Sequence, residues 1–334
     1  MFGMAKIGKI IGTDISKTTF DAASRSGDAV KTKKWDYTEE QMEAFVKTLD
    51  KDCTVVMEAT GVYHTRLASY LYSKGIRVSV VNPLAAKNFA RMLMRRTKTD
   101  KADSKLLLEY GETVDLEPWE PREPWCVEVQ QAYAMLESKN REMTATRNRM
   151  EALTHSERAS ELCLKMCQSD MERLEEDIKA LEKEIERLVG SNDGDNMRNL
   201  ETVPGIGRRT ACVLLALTGS MKRFDNYRQV VSYLGMCPRV YESGTSVRGK
   251  ARICKMGLES IRKMLYLCAL SAKKCNKACR ELYERLLEKG KPKKLALIAV
   301  ANKLVKQAFA ILKSGSSYDE NHISEKIIQK SLAY

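Results

Sequence analysis

The sequence predicts an α/β domain, a long helical arm and a mainly α-helical C-terminal domain. Strand patterns alternate with helical ones over the first 110 residues. A boundary follows at EPWEPREPW, residues 117–125, which holds three prolines in nine positions. The next stretch has no proline, and its first glycine is Gly190. The predicted parts are, in order, the α/β domain 1–120, the arm 126–190, the C-terminal domain 197–315 and a polar tail 316–334.

The α/β domain begins with three segments of strand character, KIIGTDIS, TFDAASRS and AVKTKKWDYT. A helical spacing of apolar residues follows in EEQMEAFVKTLDK. A continuous apolar run, CTVVMEAT, is typical of a strand that is buried on both faces. The next segments predict a helix, a strand and a helix: RLASYLYSKG, RVSVVNP and AAKNFARMLMRR. Three strands followed by alternating helices and strands predict a sheet covered by helices.

The arm carries an apolar seam with charged flanks. Its apolar residues recur in alternating steps of four and three: Leu174, Ile178, Leu181, Ile185 and Leu188. Such a heptad pattern predicts a coiled coil, and through it a homo-oligomer, either a dimer or a tetramer. The alternative is a long amphipathic helix that packs on its own domain.

The chain carries a formal net charge of +13, and the positive excess is concentrated in one region. Residues 201–314 hold 24 Lys and Arg against 7 Asp and Glu, while the remainder is slightly acidic. This distribution is typical of a module that binds a polyanion, and we expect nucleic acid rather than a membrane surface.

Other composition features exclude several classes of protein. The ten cysteines are scattered and the three histidines lie far apart, so the sequence predicts reduced thiols and no zinc site. The longest apolar stretches are shorter than the roughly 20 residues that a membrane span needs. The N-terminal residues also lack the layout of a signal peptide. We therefore expect a cytoplasmic protein with no membrane partner.

Four carboxylates occupy positions that suit a metal site. Asp14 and Glu58 end two of the predicted strands, where binding crevices of open α/β sheets form. Asp100 and Asp103 lie three apart at a helix start and therefore share one face. Together they could hold two hard cations about 4 Å apart, as in phosphodiester displacement. All-oxygen ligands favour Mg²⁺ or Mn²⁺. Each position alone has a simpler explanation, such as an Asp that favours a helix N-terminus.

Two basic segments are candidates for phosphate contacts. The first surrounds the aspartate pair and comprises Arg95, Arg96, Lys98, Lys101 and Lys105. The second, VPGIGRRTA at residues 203–211, resembles the hairpin of a helix-hairpin-helix motif, in which backbone N–H groups of a glycine turn contact phosphate. Arg208 and Arg209 favour that interpretation. The alternative is an ordinary connector between two helices.

The segment YESGTSVRGKARICKMG, residues 241–257, predicts a flexible cationic loop with small hydroxyl residues. Its basic residues are Arg248, Lys250, Arg252 and Lys255. The residues alone favour a loop that binds phosphate through Ser and Thr donors. A serine here could instead attack a phosphodiester, provided that metal-bound carboxylates supply activation and charge stabilisation.

Seven motifs occur in the order and spacing of one known family: GTDISK, MEATGVYH, VNP, KTDKADSK, VPGIGRRTA, YLGMCPR and ESGTSVRGKARICKMG. With them the sequence resembles the DEDD-type insertion-sequence transposases of the "one-ten" family over essentially its whole length. The resemblance implies an RNase H-like (RuvC-like) N-terminal domain and a C-terminal transposase domain. It also implies a bacterial or archaeal protein associated with the nucleoid.

The resemblance further implies roles for individual residues. Asp14, Glu58, Asp100 and Asp103 would be the metal-binding DEDD set, and Ser243 would be the nucleophile that forms a phosphoserine link to DNA. The neighbouring Ser246 is an alternative that the residues do not exclude. The family works as oligomers on donor and target DNA, guided by a non-coding bridge RNA that pairs with both. Cys254 is a departure, because a serine is frequent there in the family.

Two other functions fit the same residues. One is a RuvC-like, Mg²⁺-dependent nuclease or Holliday junction resolvase, which would use water as the nucleophile and would not need Ser243. The other is a nucleic-acid-binding scaffold whose carboxylates perform no chemistry.

Overall fold

A computed structural model shows that the chain forms two compact units, unit 1 (Met1–Pro121) and unit 2 (Arg122–Tyr334). The structure describes residues 8–59, 61–95, 99–239, 242–243, 247–248, 252–254 and 256–321. Most of the predicted tail lies outside these residues.

Unit 1 is an α/β domain built on a five-stranded sheet with the order β3-β2-β1-β4-β5. The first three strands form an antiparallel meander, and β4 and β5 run parallel to β1. This mixed sheet with its helices is consistent with the predicted RNase H-like domain. Its elements are β1 (Ile10–Ile15), β2 (Thr19–Ser26), β3 (Ala29–Asp36), α1 (Glu39–Val46), β4 (Thr54–Glu58), α2 (Tyr63–Ser73), β5 (Arg77–Val81), α3 (Pro83–Met92) and α4 (Asp100–Thr113).

Apolar residues cover both faces of the sheet, as the continuous apolar run of β4 predicts. On one face Ile11, Phe20 and Trp35 belong to a core with residues of α1 and α2. On the other face Ile10 and Val56 belong to a core with residues of α3 and α4. Alternate residues of each strand face opposite sides. Asp14 therefore points to the same face as Ile10, the face that α4 covers.

Unit 2 is mainly helical. Its helices are α5 (Pro124–Thr154), α6 (Glu161–Glu201), α7 (Arg208–Thr218), α8 (Tyr227–Tyr233), α9 (Glu259–Cys275), α10 (Lys277–Glu288) and α11 (Lys293–Ser314). Four two-residue strands separate α8 from α9: β6 (Pro238–Arg239), β7 (Glu242–Ser243), β8 (Val247–Arg248) and β9 (Arg252–Ile253). One apolar core joins α7, which is buried from Thr210 to Thr218, to α5, α6, α9 and α11.

The predicted coiled-coil arm is not confirmed, and α5 and α6 pack against each other as a helical hairpin within unit 2. Leu174, Ile185 and Leu188 of the heptad seam are buried, and Ile178 and Leu181 pack on the unit 2 core. An ion pair from Lys139 to Asp177, at 2.9 Å, also joins the two helices. Packing within the chain therefore accounts for the apolar seam, and the oligomer stays a prediction that needs another surface.

A kink interrupts α6 in the segment SNDGDN, residues 191–196, where the non-helical backbone of Asp193 joins two helical stretches. The Asp193 carboxylate accepts hydrogen bonds from Ser220 and Asn196, which hold this kink in place. The kink lies between the predicted arm, 126–190, and the predicted C-terminal domain, 197–315.

The last helix, α11, is long and apolar enough by length and composition to cross a membrane. Eight of its residues are nevertheless buried, and most of them lie in the unit 2 core. We interpret α11 as a core helix of unit 2.

Candidate active site

Three carboxylates form a row across the centre of the unit 1 sheet. Asp14 of β1 is the direct cross-strand partner of Asp21 of β2. On its other side β1 pairs with β4 in parallel, with Gly12 opposite Val56 and Thr13 opposite Met57. The next position along this register brings Asp14 level with Glu58. Residues level with one another on neighbouring strands share a face, so the three carboxylates lie on the face that α4 covers.

The first turn of α4 brings the two other predicted carboxylates to this face. Thr99 caps the helix, because its side chain accepts a hydrogen bond from the Ala102 N–H at 3.2 Å. Asp100 and Asp103 follow in the first turn, where negative charge is favoured by the helix dipole. The four carboxylates that the sequence predicts are thus brought together in unit 1.

Two glycines allow α4 to approach the sheet closely. A Cβ atom on Gly12 would lie 2.2 Å from both the Ser104 carbonyl oxygen and the Leu108 nitrogen. A Cβ atom on Gly111 would lie 2.7 Å from Cγ2 of Ile10. The contact at Gly12 involves the backbone of α4, which cannot move without moving the helix. Gly12 therefore sets how near Asp100 and Asp103 lie to Asp14.

We expect Gly12→Ala to displace α4 and to destabilise the protein by about 1–3 kcal/mol, the usual cost of overpacking a core. Urea unfolding measures this loss. Gly190→Ala is the matched control, because Gly190 lies in α6 with no contact closer than 4.0 Å to an added Cβ atom. An equal stability of Gly12→Ala and wild type would contradict the tight packing of α4 on β1.

The electrostatics of the row favour a positive ligand. Burial is the largest of the causes that raise the pKa of Asp14 from its ordinary value of 3.8 to about 6. The negative charges of Asp103, Asp100 and Glu58, in decreasing order, contribute to the same rise. A hydrogen bond from the Ile15 backbone acts in the opposite direction. A cation near Asp14 would remove the repulsion that these carboxylates exert on one another.

The donor set fits a hard divalent cation, because it consists of carboxylate oxygens alone. Within the described part of the chain, however, no group of three or more His, Cys, Asp or Glu side chains is arranged to hold a metal ion. The backbone thus brings the carboxylates together, while their side chains do not form a closed ligand set.

Sequence reasoning missed Asp21, although it predicted the strand that carries it. Its side chain is only 3% exposed, and its Oδ1 atom has no hydrogen-bond partner among the described residues. Burial raises the pKa of this carboxyl above 3.8. The sequence feature that could have predicted its position is the short connection from Ile15 to Thr19. A hairpin of β1 and β2 closed by this connection places Asp21 opposite Asp14.

The predicted cationic loop of unit 2 contains antiparallel pairs of short strands. An outer pair joins β6 to β9, and an inner pair joins β7 to β8, with Ser243 opposite Val247. At the base, the Cys254 N–H donates to the Cys237 carbonyl at 2.9 Å. A hydrogen bond with Cys254, followed by burial, raises the pKa of the Cys237 thiol. Ser246, Lys250 and Lys255 lie outside the described residues, and of Ser243, Arg248 and Arg252 the structure describes the backbone.

Two family models match the chain. One, described as "Transposase" and built on DEDD-type IS110 sequences, covers residues 11–156 and so includes all four predicted carboxylates. The other, described as "Transposase IS116/IS110/IS902 family", covers residues 197–284 and includes Ser243. The chain belongs to this family of insertion-sequence transposases.

The chain is also similar to individual proteins with related names. The pilin gene-inverting protein of Moraxella lacunata is 29% identical over 325 residues, which is 93% of this chain and 97% of the relative. The transposase for insertion sequence element IS1111A of Coxiella burnetii is 23% identical over 349 residues, 93% of this chain and 91% of its own. The insertion element IS110 uncharacterized 43.6 kDa protein of Streptomyces coelicolor is 30% identical over 151 residues, 45% of this chain and 36% of its own.

Several predicted phosphate-binding residues of the transposase are engaged in ion pairs. Arg95 donates to both carboxylate oxygens of Glu109 at 2.5 Å. Arg208 and Arg209 pair with glutamates of α6, Glu201 at 2.6 Å and Glu182 at 2.9 Å. These carboxylates compete with phosphate for the N–H groups of the arginines.

The other basic residues near the aspartate pair fall into two groups. Lys101 is exposed and Lys105 is partly buried, both on α4. Arg96 and Lys98 lie outside the described residues.

The turn of the predicted helix-hairpin-helix motif joins α6 to α7 and packs against α9. Gly205 has φ +103°, and an added Cβ atom would lie 2.6 Å from Cβ of Ala272. The Asn276 side chain donates to the Pro204 carbonyl at 3.3 Å. This close packing accounts for Gly205 without a nucleic-acid contact, and the phosphate-binding role of the turn stays a prediction.

A groove of about 700 Å³ in unit 2 is a further candidate for nucleic-acid binding that sequence reasoning did not identify. It lies between α9 and α11 and reaches Ile253 of β9, in the cationic loop 241–257 that contains Ser243. Its charged lining residues are Arg262, Lys263, Lys294 and Glu259, and Glu259 pairs with Lys263 at 3.0 Å. These residues lie on two helices that are distant in sequence, so no local motif predicts the groove.

Proposed function

We propose that this transposase cuts and rejoins DNA strands through a covalent serine–DNA intermediate. The observation that carries the proposal is the convergence of Asp14, Glu58, Asp100 and Asp103 on one face of the unit 1 sheet. The family match covers both these carboxylates and Ser243. A relative named for inverting a pilin gene supports rejoining as well as cutting, since inversion requires both.

The four carboxylates would hold Mg²⁺, or Mn²⁺ in its place. When bound there, the cation would polarise the scissile phosphate and stabilise the negative charge that develops on its oxygens. Asp14 and Glu58 are fixed by the sheet, while Asp100 and Asp103 are fixed by the contact of α4 with Gly12. Residues held on rigid elements in this way keep their geometry during the reaction.

Ser243 would be the nucleophile. Its Oγ attacks the phosphorus of one DNA strand, the bond to the leaving DNA oxygen breaks, and the serine proton ends on that oxygen as a free DNA hydroxyl. To rejoin, a hydroxyl of a second strand attacks the serine-linked phosphorus and its proton returns to Ser243. Each step exchanges one phosphate ester for another, so the reaction requires no ATP.

The nucleic-acid partners would be donor DNA, target DNA and a non-coding bridge RNA. The family resemblance is the support for the guide RNA, and the positive excess of residues 201–314 supports a large polyanionic partner. We place part of this interface at the groove between α9 and α11. Its lysines are exposed, and Ile253 of β9, in the cationic loop 241–257, lies beside it.

Substitution of the two groove lysines, Lys263→Gln with Lys294→Gln, is expected to weaken DNA binding and its salt dependence. Each lost phosphate contact makes the slope of log K against log[salt] shallower by about 1. Fluorescence anisotropy at several salt concentrations measures the slope. Lys179→Gln on α6 is the control, because this exposed lysine lies among glutamates. An unchanged slope in the double variant would place the DNA elsewhere.

The experiment that tests the function combines the purified protein with its element's non-coding RNA and end-labelled donor and target DNA. Strand-exchange products that require both Mg²⁺ and the RNA support the proposal, and EDTA should abolish them. Nicked DNA without joined products would instead indicate the water-using nuclease. Binding without any cleavage in Mg²⁺ or Mn²⁺ would indicate a scaffold.

A further inference from the structure

Asp21 is a buried carboxylate that the four-residue metal set does not include. It lies on β2 directly opposite Asp14, and paired residues of antiparallel strands have Cβ atoms about 5 Å apart on the same face. Two carboxylates at that separation can reach one cation. Asp21 thus extends the row of Asp14 and Glu58 by one strand.

The Asp21 side chain is costly where it lies. Only 3% of the residue is exposed, and Oδ1 has no hydrogen-bond donor in the described part of the chain. A buried carboxylate without a partner destabilises a fold unless a ligand compensates it. The chemistry of such a group in a site of like charge suits a cation as its ligand.

Besides Asp14 on β1, the charges that face Asp21 come from β3 and α4. Lys34 of β3 is its other cross-strand partner, and Lys101 lies in the first turn of α4. Both attract the carboxylate, yet neither forms an ion pair with it within 4.0 Å among the described residues. Asp100, in the same turn of α4, opposes its ionisation. Asp21 therefore faces the same helix end as Asp14 does.

We propose that Asp21 is a fifth carboxylate of the divalent-cation site, whose Oδ1 helps to hold the cation together with Asp14 and Asp100. This inference rests on the proposed function, since it assigns one more residue to the metal site of unit 1. It differs from a structural role, in which Asp21 would stabilise the sheet through Lys34 and Lys101.

The test measures Mn²⁺ binding to the full chain without nucleic acid, by the loss of the free Mn²⁺ signal in electron paramagnetic resonance. Asp21→Asn is expected to weaken Mn²⁺ binding by about 10-fold or more, the usual effect of losing a supporting metal-site residue. Asp28→Asn, in the exposed turn between β2 and β3, is the control and should bind as wild type does. Asp14→Asn tests whether unit 1 binds Mn²⁺ at this site at all, and it should also weaken Mn²⁺ binding.

Thermal unfolding without metal separates the two roles of Asp21. The proposal predicts that Asp21→Asn raises the melting temperature of the metal-free protein, because it removes an uncompensated buried charge. Asp21→Ser, which also removes the charge, is the second variant if Asp21→Asn does not fold.

Two results would overturn the inference in different ways. Unchanged Mn²⁺ affinity in Asp21→Asn, with weaker binding in Asp14→Asn, would overturn the role of Asp21 alone and leave the four-carboxylate site standing. Equal Mn²⁺ binding by wild type and Asp14→Asn would overturn the metal site of unit 1, and the role of Asp21 with it.

Discussion

Ser243→Ala is expected to abolish the covalent link between the protein and DNA while DNA binding persists. The hydroxyl oxygen is the only non-hydrogen atom removed, and in the proposed reaction that oxygen carries the phosphate between the two strands. Denaturing gels of end-labelled DNA, with and without protease, measure the adduct. Wild type should give a protease-sensitive band in Mg²⁺ that is absent from Ser243→Ala.

Two further serine variants complete this experiment. Ser246→Ala tests the neighbouring hydroxyl, and Ser271→Ala, on the exposed side of α9, is the matched control. Both should keep the adduct. Loss of the adduct in Ser246→Ala but not in Ser243→Ala would move the nucleophile to Ser246. Cleavage without an adduct in all four proteins would favour the nuclease that uses water.

Asp14→Asn is expected to lower Mg²⁺-dependent cleavage by about a thousandfold, corresponding to about 4 kcal/mol of lost transition-state stabilisation. The physical reason is its central position, since Asp21 and Glu58 flank it and α4 covers it. The metal-free protein should at the same time become more stable, because a partly buried charge repelled by Asp103 and Asp100 is removed.

Single-turnover cleavage and thermal unfolding without metal measure the two effects of Asp14→Asn. Asp28→Asn is the control for both. A variant that loses both activity and metal-free stability would show that Asp14 supports the fold, and would argue against the metal site. Retention of cleavage would contradict the site directly.

The sequence predicts the coarse fold well because its signals are local. The apolar run of β4 and the three strand patterns before it indicate a sheet, and the structure confirms a mixed sheet with helices in unit 1. The strand ends at Asp14 and Glu58 and the helix start at Asp100 likewise follow from local patterns. These positions suffice to bring four carboxylates together once the strand order is known.

Features that depend on pairing or packing are harder to predict. Asp21 was missed because a strand pattern does not state which residue of the next strand lies opposite. The heptad seam of the arm does not distinguish a partner chain from the chain's own α5, because the same apolar stripe can pack against either. The glutamates that hold Arg208 and Arg209 come from α6 and follow from the packing of α6 with α7.

The most direct test of the account identifies the residue that carries the DNA. The Mg²⁺-dependent adduct is trapped, treated with nuclease and protease, and its peptides are mapped by mass spectrometry. We predict that a nucleotide phosphate is attached to Ser243, and that EDTA or Asp14→Asn prevents its formation. A nucleotide on any other residue, or joined DNA products with no protein-linked nucleotide, would contradict the proposed serine mechanism.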